Sequence, residues 1–407
     1  MRDTLDELRE LIAVLLEGNR FYTPRLAAAG IDAGVGSLAD YTARLPFTTK
    51  MDLVADQTAN PPHGTNLSYS IERYTRFCQT SGTTARPLVI LDTPESWDWM
   101  LGNWAHIYRA ADLAPGDRIY FAFSFGPFLG FWTAFDAAAK LGYLCIPGGG
   151  LGSVGRLRAI VEHRAAVMCC TPTYALHLAE TAAAEGIDLA QSSVRKIIVA
   201  GEPGGSVPAV RDRISAAWNG AQVIDHYGMT EAGPVAFQNA KRDNDLHVIE
   251  QSYFAEIIDP ETGLPTPPGA IGELVLTTLG RHACPLLRYR TGDLVKRNPN
   301  EAGFALEGGI VGRVDDMIVV RGVNIFPSAL DAVVRSVPEV AEYRVEVSRR
   351  GALAEVAVQI ESPADGAADK LATALASAFS LRIPVSRVEQ GVLPRFEFKA
   401  RRWVSHE

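Results

Sequence analysis

A chain of 407 residues, with 47% hydrophobic and 21% charged residues, has the composition of a globular protein with room for two or three domains. Its net charge of −8 excludes a broad nucleic-acid footprint, because phosphate backbones require a basic face. The most apolar stretch, 119–147, is interrupted by Pro127, Asp136 and Lys140, so no membrane-spanning helix is predicted. Five scattered cysteines, and acidic residues where a signal peptide would begin, favour a cytoplasmic location.

The first part of the chain predicts an α/β fold. Residues 1–75 indicate helices and loops, beginning with an amphipathic helix in which Leu5, Leu8 and Ile12 share one face. Strands and helices then alternate, a pattern typical of a mostly parallel sheet with helices on its faces and ligands at the carboxyl ends of its strands. We predict strands at 118–123, 143–146, 166–170 and 196–200, and helices at 132–141, 154–163, 174–184 and 207–218.

After about residue 240 the pattern changes to short β-rich runs separated by turns. These runs lie at 254–258, 273–277, 294–296 and 318–320. The last segment carries two strands (343–347 and 354–360), two helices (328–337 and 369–379) and a polar tail. We therefore predict a large domain, 1–312, that includes a β-rich subdomain, and a small α+β domain, 313–407.

One short segment, Thr80-Ser81-Gly82-Thr83-Thr84-Ala85-Arg86-Pro87, is suited to binding a triphosphate. Backbone N–H groups and hydroxyls would donate to phosphate oxygens, Gly82 would permit close approach, and Arg86 would add positive charge. The Walker pattern is absent. The segment Gly150–Gly155 also matches G-x-G-x-x-G, but no acidic residue follows the next strand, so we interpret it as a structural turn.

Four more segments stand beside this loop in the chain. The first follows a predicted strand at Val223-Ile224, and the second precedes another predicted strand. They are Asp225-His226-Tyr227-Gly228-Met229-Thr230-Glu231, Arg288-Tyr289-Arg290-Thr291-Gly292-Asp293, Gly312-Arg313-Val314-Asp315-Asp316-Met317 and Leu393-Pro394-Arg395-Phe396-Glu397-Phe398-Lys399-Ala400-Arg401. Together with Gly201-Glu202-Pro203, and in this order, they resemble the adenylate-forming superfamily of acyl-CoA synthetases, in particular its phenylacetate–CoA ligase-like branch.

The resemblance implies which residues bind ATP and Mg²⁺. The Thr80 loop would hold the β- and γ-phosphates, and Thr230 the α-phosphate. Glu231 would be the Mg²⁺ ligand, since this ion usually takes one or two carboxylates plus phosphate oxygens. Lys399 would bridge the substrate carboxylate and the α-phosphate, where charge develops. The other implied nucleotide-binding residues are Gly201, Glu202, Pro203, Tyr227 and Gly228 around the adenine, Asp293 at the ribose hydroxyls, and Arg313 at the ribose or phosphates.

The resemblance also implies a mobile small domain, because Asp315 occupies the position about which that domain rotates between two half-reactions. A simple turn residue is the alternative. The chain departs from the family pattern at Ala85-Arg86, where Gly-Lys is usual, and at Phe398, where glycine often precedes the lysine. We expect Arg86 to alter ATP affinity rather than abolish activity. Three candidate zinc ligands lack a fourth and are interpreted as structural residues: His247, His282 and Cys284.

The acyl pocket is predicted around an aromatic and glycine-rich segment. A flat apolar slot there would suit an aryl ring, which agrees with the aryl or arylacetic acids that the resemblance implies. His226 would either read a polar group on the ring or lie behind the pocket, and the sequence leaves both open. The substrate residues of this prediction are Phe125, Gly126, Pro127, Phe128 and His226.

The predicted function is ATP-dependent activation of an aryl acid to an acyl-adenylate, followed by transfer to coenzyme A. A carrier-protein phosphopantetheine or an amine is the alternative acceptor. A basic groove for CoA could include Arg156, Arg158 and Arg164, although solvated helix charges are the alternative there. A regulatory nucleotide-binding protein with a degenerate site is the rival class, and a homodimer is left open.

Overall fold

The computed structural model describes residues 3–31, 34–80, 87–239, 244–320, 323–350, 353–396 and 401–406. Some predicted site residues lie outside the described residues, and their roles stay predictions from the sequence. These are Ser81, Gly82, Thr83, Thr84 and Arg86 of the predicted phosphate loop, and Lys399.

The described elements alternate between helices and strands in the first half and are mainly strands in the second. The strands are β1 (Arg76–Gln79), β2 (Val89–Asp92), β3 (Arg118–Phe121), β4 (Leu144–Pro147), β5 (Val167–Cys170), β6 (Lys196–Val199), β7 (Gln222–Met229), β8 (Gly233–Gln238), β9 (Leu246–Val248), β10 (Tyr253–Ile258), β11 (Ile271–Thr278), β12 (Tyr289–Arg297), β13 (Ala305–Arg313), β14 (Ile318–Val320), β15 (Val323–Ile325), β16 (Glu342–Arg350), β17 (Leu353–Glu361), β18 (Val385–Val388) and β19 (Trp403–His406). The helices are α1 (Thr4–Gly18), α2 (Tyr22–Ala28), α3 (Leu38–Arg44), α4 (Lys50–Ala59), α5 (Pro94–Ala110), α6 (Trp132–Lys140), α7 (Ser153–Glu162), α8 (Pro172–Ala184), α9 (Pro208–Ala217), α10 (Pro327–Arg335) and α11 (Ala367–Phe379), with short 3₁₀ helices at Ile71–Arg73 and Leu189–Gln191.

An 11-stranded mixed sheet dominates the fold, in the order β10-β11-β12-β13-β9-β8-β7-β6-β5-β3-β4. Strands β3 to β7 are parallel. The apolar runs of the central strands are fully buried, as Ile197, Ile198 and Val199 on β6 show, whereas the edge strand β4 is partly exposed. From β7 onward, neighbouring strands are antiparallel. The predicted α/β class with a β-rich second part is therefore confirmed.

Two of the motifs occupy strands rather than flank them. The motif Asp225–Met229 lies within β7, and Asp293 lies in the middle of β12. The predictions that the first motif follows its strand and that the second precedes one are wrong. Antiparallel pairing of β7 with β8 and of β12 with β13 extends these strands through glycine-containing polar segments that sequence propensity would end.

The N-terminal helices cover one face of the β-rich part of the sheet. Leu8, Leu11 and Leu15 on α1 are fully buried and belong to the same core as Val235 on β8 and Leu274 on β11. The helical spacing of the α1 leucines explains this contact, because it places them on one face of the helix. The N-terminal helices and the β-rich part of the sheet therefore share one hydrophobic core.

The C-terminal part forms a separate four-stranded sheet in the order β18-β17-β16-β19, with α10 and α11 in its core, and a β14–β15 hairpin. The predicted polar tail is wrong, because Trp403–His406 forms β19, which pairs in parallel with β16. Arg402, just before β19, is buried and donates to both carboxylate oxygens of Glu342, at 2.6 and 3.1 Å. Strand β13 ends at Arg313, and the division of the chain into domains at 312 stays a prediction.

Candidate active site

Tyr227, Asp293 and Arg313 meet at one buried carboxylate. The Tyr227 hydroxyl donates to Asp293 Oδ2 at 2.6 Å, and Arg313 donates to Asp293 Oδ1 at 2.9 Å. The β12–β13 register pairs Asp293 directly with Arg313. Burial raises the pKa of the Asp293 carboxyl, against the opposing effect of Arg313. Each carboxylate oxygen keeps a further acceptor site, so Asp293 can still accept hydrogen bonds from two hydroxyls of a ligand.

The turn that carries Thr230 and Glu231 is fixed by a buried ion pair. Arg281 and Asp92 are both fully buried, and Arg281 donates to the two Asp92 oxygens at 2.8 and 2.6 Å. Its third nitrogen donates to the backbone carbonyls of Glu231 and Thr230, at 2.6 and 3.2 Å. Burial opposes the charge on Arg281, but Asp92 outweighs burial and raises the pKa of the guanidinium. No local sequence pattern predicts this pair.

The Glu231 carboxylate can hold a cation. Its Oε1 lies 3.1 Å from the ammonium of Lys50, the first residue of α4, and the carboxylate is buried whereas the lysine is half exposed. Mg²⁺ at nucleotide sites usually takes one or two carboxylates, with phosphate oxygens and water completing its shell, and a buried carboxylate can supply that ligand. Glu231 therefore fits the magnesium role. The sequence motifs did not predict a role for Lys50.

The two ends of the predicted phosphate loop are held together. The backbone N–H of Thr80 donates to Leu88 at 2.9 Å, and the Leu88 N–H donates to the Thr80 hydroxyl at 3.0 Å. The side-chain amide of Gln57 on α4 donates to the Val89 carbonyl at 2.6 Å and accepts a hydrogen bond from the Val89 N–H at 3.0 Å. The hairpin β1–β2 that carries the loop is thus attached to α4.

The predicted acyl segment packs beside this hairpin. The carbonyl of Pro127 accepts a hydrogen bond from the backbone N–H of Gln79 at 2.6 Å. Phe125 packs against Trp132, with ring centroids 4.6 Å apart, and Phe128 packs edge-on against Phe123 at 5.4 Å. A side chain on Gly126 would meet the Phe128 ring at 2.6 Å, which explains the glycine. The predicted acyl and phosphate segments are therefore neighbours.

The Gly201-Glu202-Pro203 turn lies at the carboxyl end of β6. Gly201 has a φ of +93°, a conformation that favours glycine. The Glu202 carboxylate accepts the backbone N–H of Thr173, at the start of α8, at 2.8 Å. Gly205 presses against Asp225 of β7, because a Cβ there would lie 2.4 Å from the Asp225 carboxylate. The turn is thereby tied to the strand that carries Tyr227 and Gly228.

His226 is a buried, neutral histidine. Its Nδ1 lies 3.0 Å from the carbonyl of Ala236, and its ring packs on Trp104 with centroids 4.5 Å apart. Burial lowers the pKa of His226 to about 4. The adjacent Asp225 is also buried, and burial raises its pKa to about 6 even though Ser206 donates to it at 2.5 Å.

The opposite pKa shifts of Asp225 and His226 predict opposite effects of pH on the free energy of unfolding. His226 stabilises the fold above its unfolded pKa of 6.5 and loses this contribution as pH falls toward 4, whereas Asp225 stabilises below 3.8 and loses its contribution as pH rises through 6. Relative to the wild type, Asp225→Asn should therefore lose stability on acidification from about pH 6 to 4, by up to about 1.4 kcal/mol per pH unit, and His226→Gln should gain it. Urea-unfolding midpoints across this range measure both effects. Slopes of the same sign for the two variants would contradict the assignment.

Cys284, one of the three candidate zinc ligands, is buried. The described residues contain no group of three His, Cys, Asp or Glu side chains that could hold a metal ion. Cys284 accepts a contact from Asn66 at 3.7 Å, and burial raises the pKa of its thiol to about 12. Arg156 is buried and donates to Gly148 and Ser124, at 2.9 and 3.1 Å, so the solvated-charge interpretation is wrong for this residue.

The C-terminal sheet contacts the large sheet region through arginines. Arg213 on α9 donates to the carbonyl of Val340 at 2.9 Å and lies 3.9 Å from Glu180. Burial, followed by the charge of Arg335, lowers the pKa of Arg213. Arg395, in the segment that leads to Lys399, pairs with the buried Glu361 at 2.7 Å and lies 3.8 Å from Glu180.

The fold and the family matches define an adenylate-forming enzyme. The family model for AMP-binding enzymes matches residues 58–280, and the model for the AMP-binding enzyme C-terminal domain matches residues 322–406. The chain therefore belongs to the AMP-binding enzyme family, and the predicted superfamily is confirmed. The phenylacetate-coenzyme A ligase of Thermus thermophilus is 33% identical over 364 residues, which cover 88% of this chain and 80% of that protein. The predicted likeness to this branch is thereby confirmed as well.

A solved relative shows which domain arrangement this chain resembles. The 2-hydroxyisobutyryl-CoA ligase in its postadenylation state, in complex with 2-HIB-AMP, has a TM-score of 0.92 at 28% identity, covering 99% of this chain and 89% of that one. The same ligase in its thioesterification state, with 2-HIB-AMP and CoA, has a TM-score of 0.73 over 99% and 88% of the two chains. The arrangement described above thus resembles the postadenylation state. Within the described residues, no helix combines the length and apolarity needed to cross a membrane.

Proposed function

We propose that the protein is an AMP-forming aryl acid–CoA ligase. In the first step, a carboxylate oxygen of the acid attacks the α-phosphorus of ATP, the bond to the β-phosphate oxygen breaks, and pyrophosphate leaves. In the second step, the thiolate of CoA attacks the acyl carbon, and AMP leaves with the bonding electron pair. Separating the reaction in this way lets one site activate the acid and then present it to the thiol.

The observation that carries this proposal is the buried Asp293 carboxylate, held by Tyr227 and by the partly exposed Arg313, in a family-matched fold. Asp293 has acceptor sites left for the two ribose hydroxyls, and Arg313 brings positive charge to the same edge. Thr230 would donate to the α-phosphate from a turn that Arg281 fixes. Around the adenine we place Gly201, Glu202, Pro203, Tyr227 and Gly228.

The remaining proposed roles concern binding of the phosphates and of the substrate carboxylate. The Thr80 loop would hold the β- and γ-phosphates, and Lys399 would bridge the carboxylate and the α-phosphate. Mg²⁺, when bound, would neutralise phosphate charge, and Glu231 would hold it. Asp315, which accepts from Arg313 at 2.9 Å and is largely exposed, is proposed as the hinge. Hinge residues are loop or element-terminal positions that absorb a change of backbone conformation, and Asp315 follows the end of β13.

An aromatic acid is favoured by the surroundings of the proposed acyl segment. Phe123, Phe125, Phe128 and Trp132 pack edge-on around it, and such rings suit a planar aryl group. His226, neutral and buried against Trp104, would shape the pocket from behind rather than read a charged substituent. The phenylacetate–CoA ligase relatives agree with this class.

The test is pyrophosphate release across a panel of aryl, arylacetic and short aliphatic acids, with CoA, with phosphopantetheine-loaded carrier protein, and with neither acceptor. We expect release with aryl or arylacetic acids and thioester formation with CoA. Thioester formation on the carrier protein alone would favour that acceptor instead. If no acid causes pyrophosphate release while ATP still binds, a regulatory nucleotide-binding protein would be favoured instead. A cytoplasmic location and a homodimer stay predictions.

A further inference from the structure

Lys50 is a cation at the proposed magnesium ligand that the proposed mechanism has not used. Its ammonium lies 3.1 Å from Glu231 Oε1. The two partners differ in exposure, because 43% of the lysine side chain is accessible to solvent but only 9% of the glutamate side chain. A buried carboxylate needs a compensating partner, whereas a half-exposed ammonium is free to change partners.

The backbone next to Lys50 is held in place by hydrogen bonds of the two preceding residues. The preceding Thr49 caps α4 in a capping box with Asp52, at 2.8 and 3.2 Å. Thr48 exchanges backbone hydrogen bonds with Arg288 and Arg290 of the Asp293 segment, at 3.0 and 2.9 Å. The base of the side chain is therefore fixed relative to β12, and its four-carbon stem supplies the only mobility the ammonium needs.

The same helix is attached to the hairpin that carries the proposed phosphate loop. Gln57 of α4 donates to and accepts from the backbone of Val89, at 2.6 and 3.0 Å, at the start of β2. Helix α4 thus connects the proposed metal ligand at its first turn with the proposed phosphate loop near its end.

We propose that Lys50 is a phosphate-binding residue that changes partner during the reaction. Before ATP binds, its ammonium compensates the charge of Glu231. Once Mg²⁺ is held by Glu231, repulsion between the two cations favours transfer of the ammonium to a phosphate oxygen of the nucleotide. This inference rests on the proposed function, because it requires ATP in the site and Glu231 at the metal.

The test measures equilibrium ATP binding rather than turnover, by calorimetric titration in Mg²⁺ and in EDTA. Lys50→Met should weaken ATP binding about tenfold or more, the usual effect of losing a hydrogen bond to a charged group. Lys50→Arg should restore most of it. Adenosine, which lacks phosphates, should bind Lys50→Met within about twofold of the wild type, which also verifies that the variant is folded. The matched control is Lys140→Met, because Lys140 forms a comparable exposed pair with Asp98 at 2.9 Å, on α6 and α5.

A Glu231→Gln background separates the two functions of the ammonium. In EDTA, Lys50→Met should still weaken ATP binding about tenfold in this background, since the phosphate contact does not depend on the carboxylate. No further loss there would overturn the inference and leave Lys50 as a counter-ion only. If the wild type binds ATP and the Lys50→Met variant binds it equally tightly, this inference alone would be overturned. Failure of the wild type to bind ATP would overturn the proposed function and this inference with it.

Discussion

Lys399→Ala is expected to abolish adenylate formation while thioester formation from a supplied aryl-adenylate continues. The proposed ammonium contact exists where charge develops between the carboxylate and the α-phosphate, so its loss should slow the first step by at least about 10²- to 10³-fold. The second step forms no bond at phosphorus, and its rate should stay within about threefold of the wild type. Pyrophosphate release and CoA thioester formation measure the two steps separately.

A suitable control for this experiment is Lys370→Ala in the same C-terminal part of the chain. Lys370 is exposed on α11, pairs with Glu339 at 2.7 Å, and belongs to none of the motifs assigned to the site. Both half-reactions should be unchanged in this variant. Equal loss of both half-reactions in Lys399→Ala would remove the proposed role, because it would indicate a general structural effect.

The second large effect is expected at the buried ion pair below the Thr230–Glu231 turn. Asp92→Ala leaves the Arg281 guanidinium charged, buried and without its carboxylate, which should lower the free energy of unfolding by about 3–5 kcal/mol. Arg281 also holds the turn through its backbone contacts, so ATP affinity should fall as well. Urea-unfolding midpoints and ATP titration measure the two consequences.

The exposed Lys140–Asp98 pair again provides the comparison. Asp98→Ala should change the free energy of unfolding by at most about 1 kcal/mol, because both partners are solvated. An Asp92→Leu/Arg281→Met double variant should recover part of the stability lost in Asp92→Ala, since no charge stays buried alone. If Asp92→Ala were as mild as Asp98→Ala, the guanidinium would have to find another partner in the folded protein.

The elements that could be predicted are those whose signal lies within one segment. The parallel strands are continuous apolar runs, and α1 shows helical spacing, so both were found. Helix α5 was missed although Thr93 caps it and Pro94 occupies its first turn, a start signal present in the sequence. Strand β19 was missed because its pairing with β16 depends on residues almost sixty positions away.

The site was predictable as a set of motifs but not as a set of contacts. The resemblance supplied Tyr227, Asp293 and Arg313, which the fold brings together at one carboxylate. The Asp92–Arg281 pair spans 189 residues, and no local pattern indicates it. Lys50 reaches Glu231 in the same way, from an ordinary capped helix start. Long-range charge pairs are properties of the tertiary structure, and sequence periodicity carries no information about them.

The Arg213 contact between the two parts of the chain bears on how easily the enzyme can leave the arrangement described above. Burial and the charge of Arg335 disfavour the charged guanidinium, whereas Glu180 and Glu342 favour it. If the two parts separate, as the hinge proposed at Asp315 requires, Arg213 would regain its hydration, and this gain would offset the lost contact with Val340. Such a contact would oppose the proposed rotation only weakly. A fully matched ion pair at this position would instead trap the product of the first step, and release of the contact would then limit turnover.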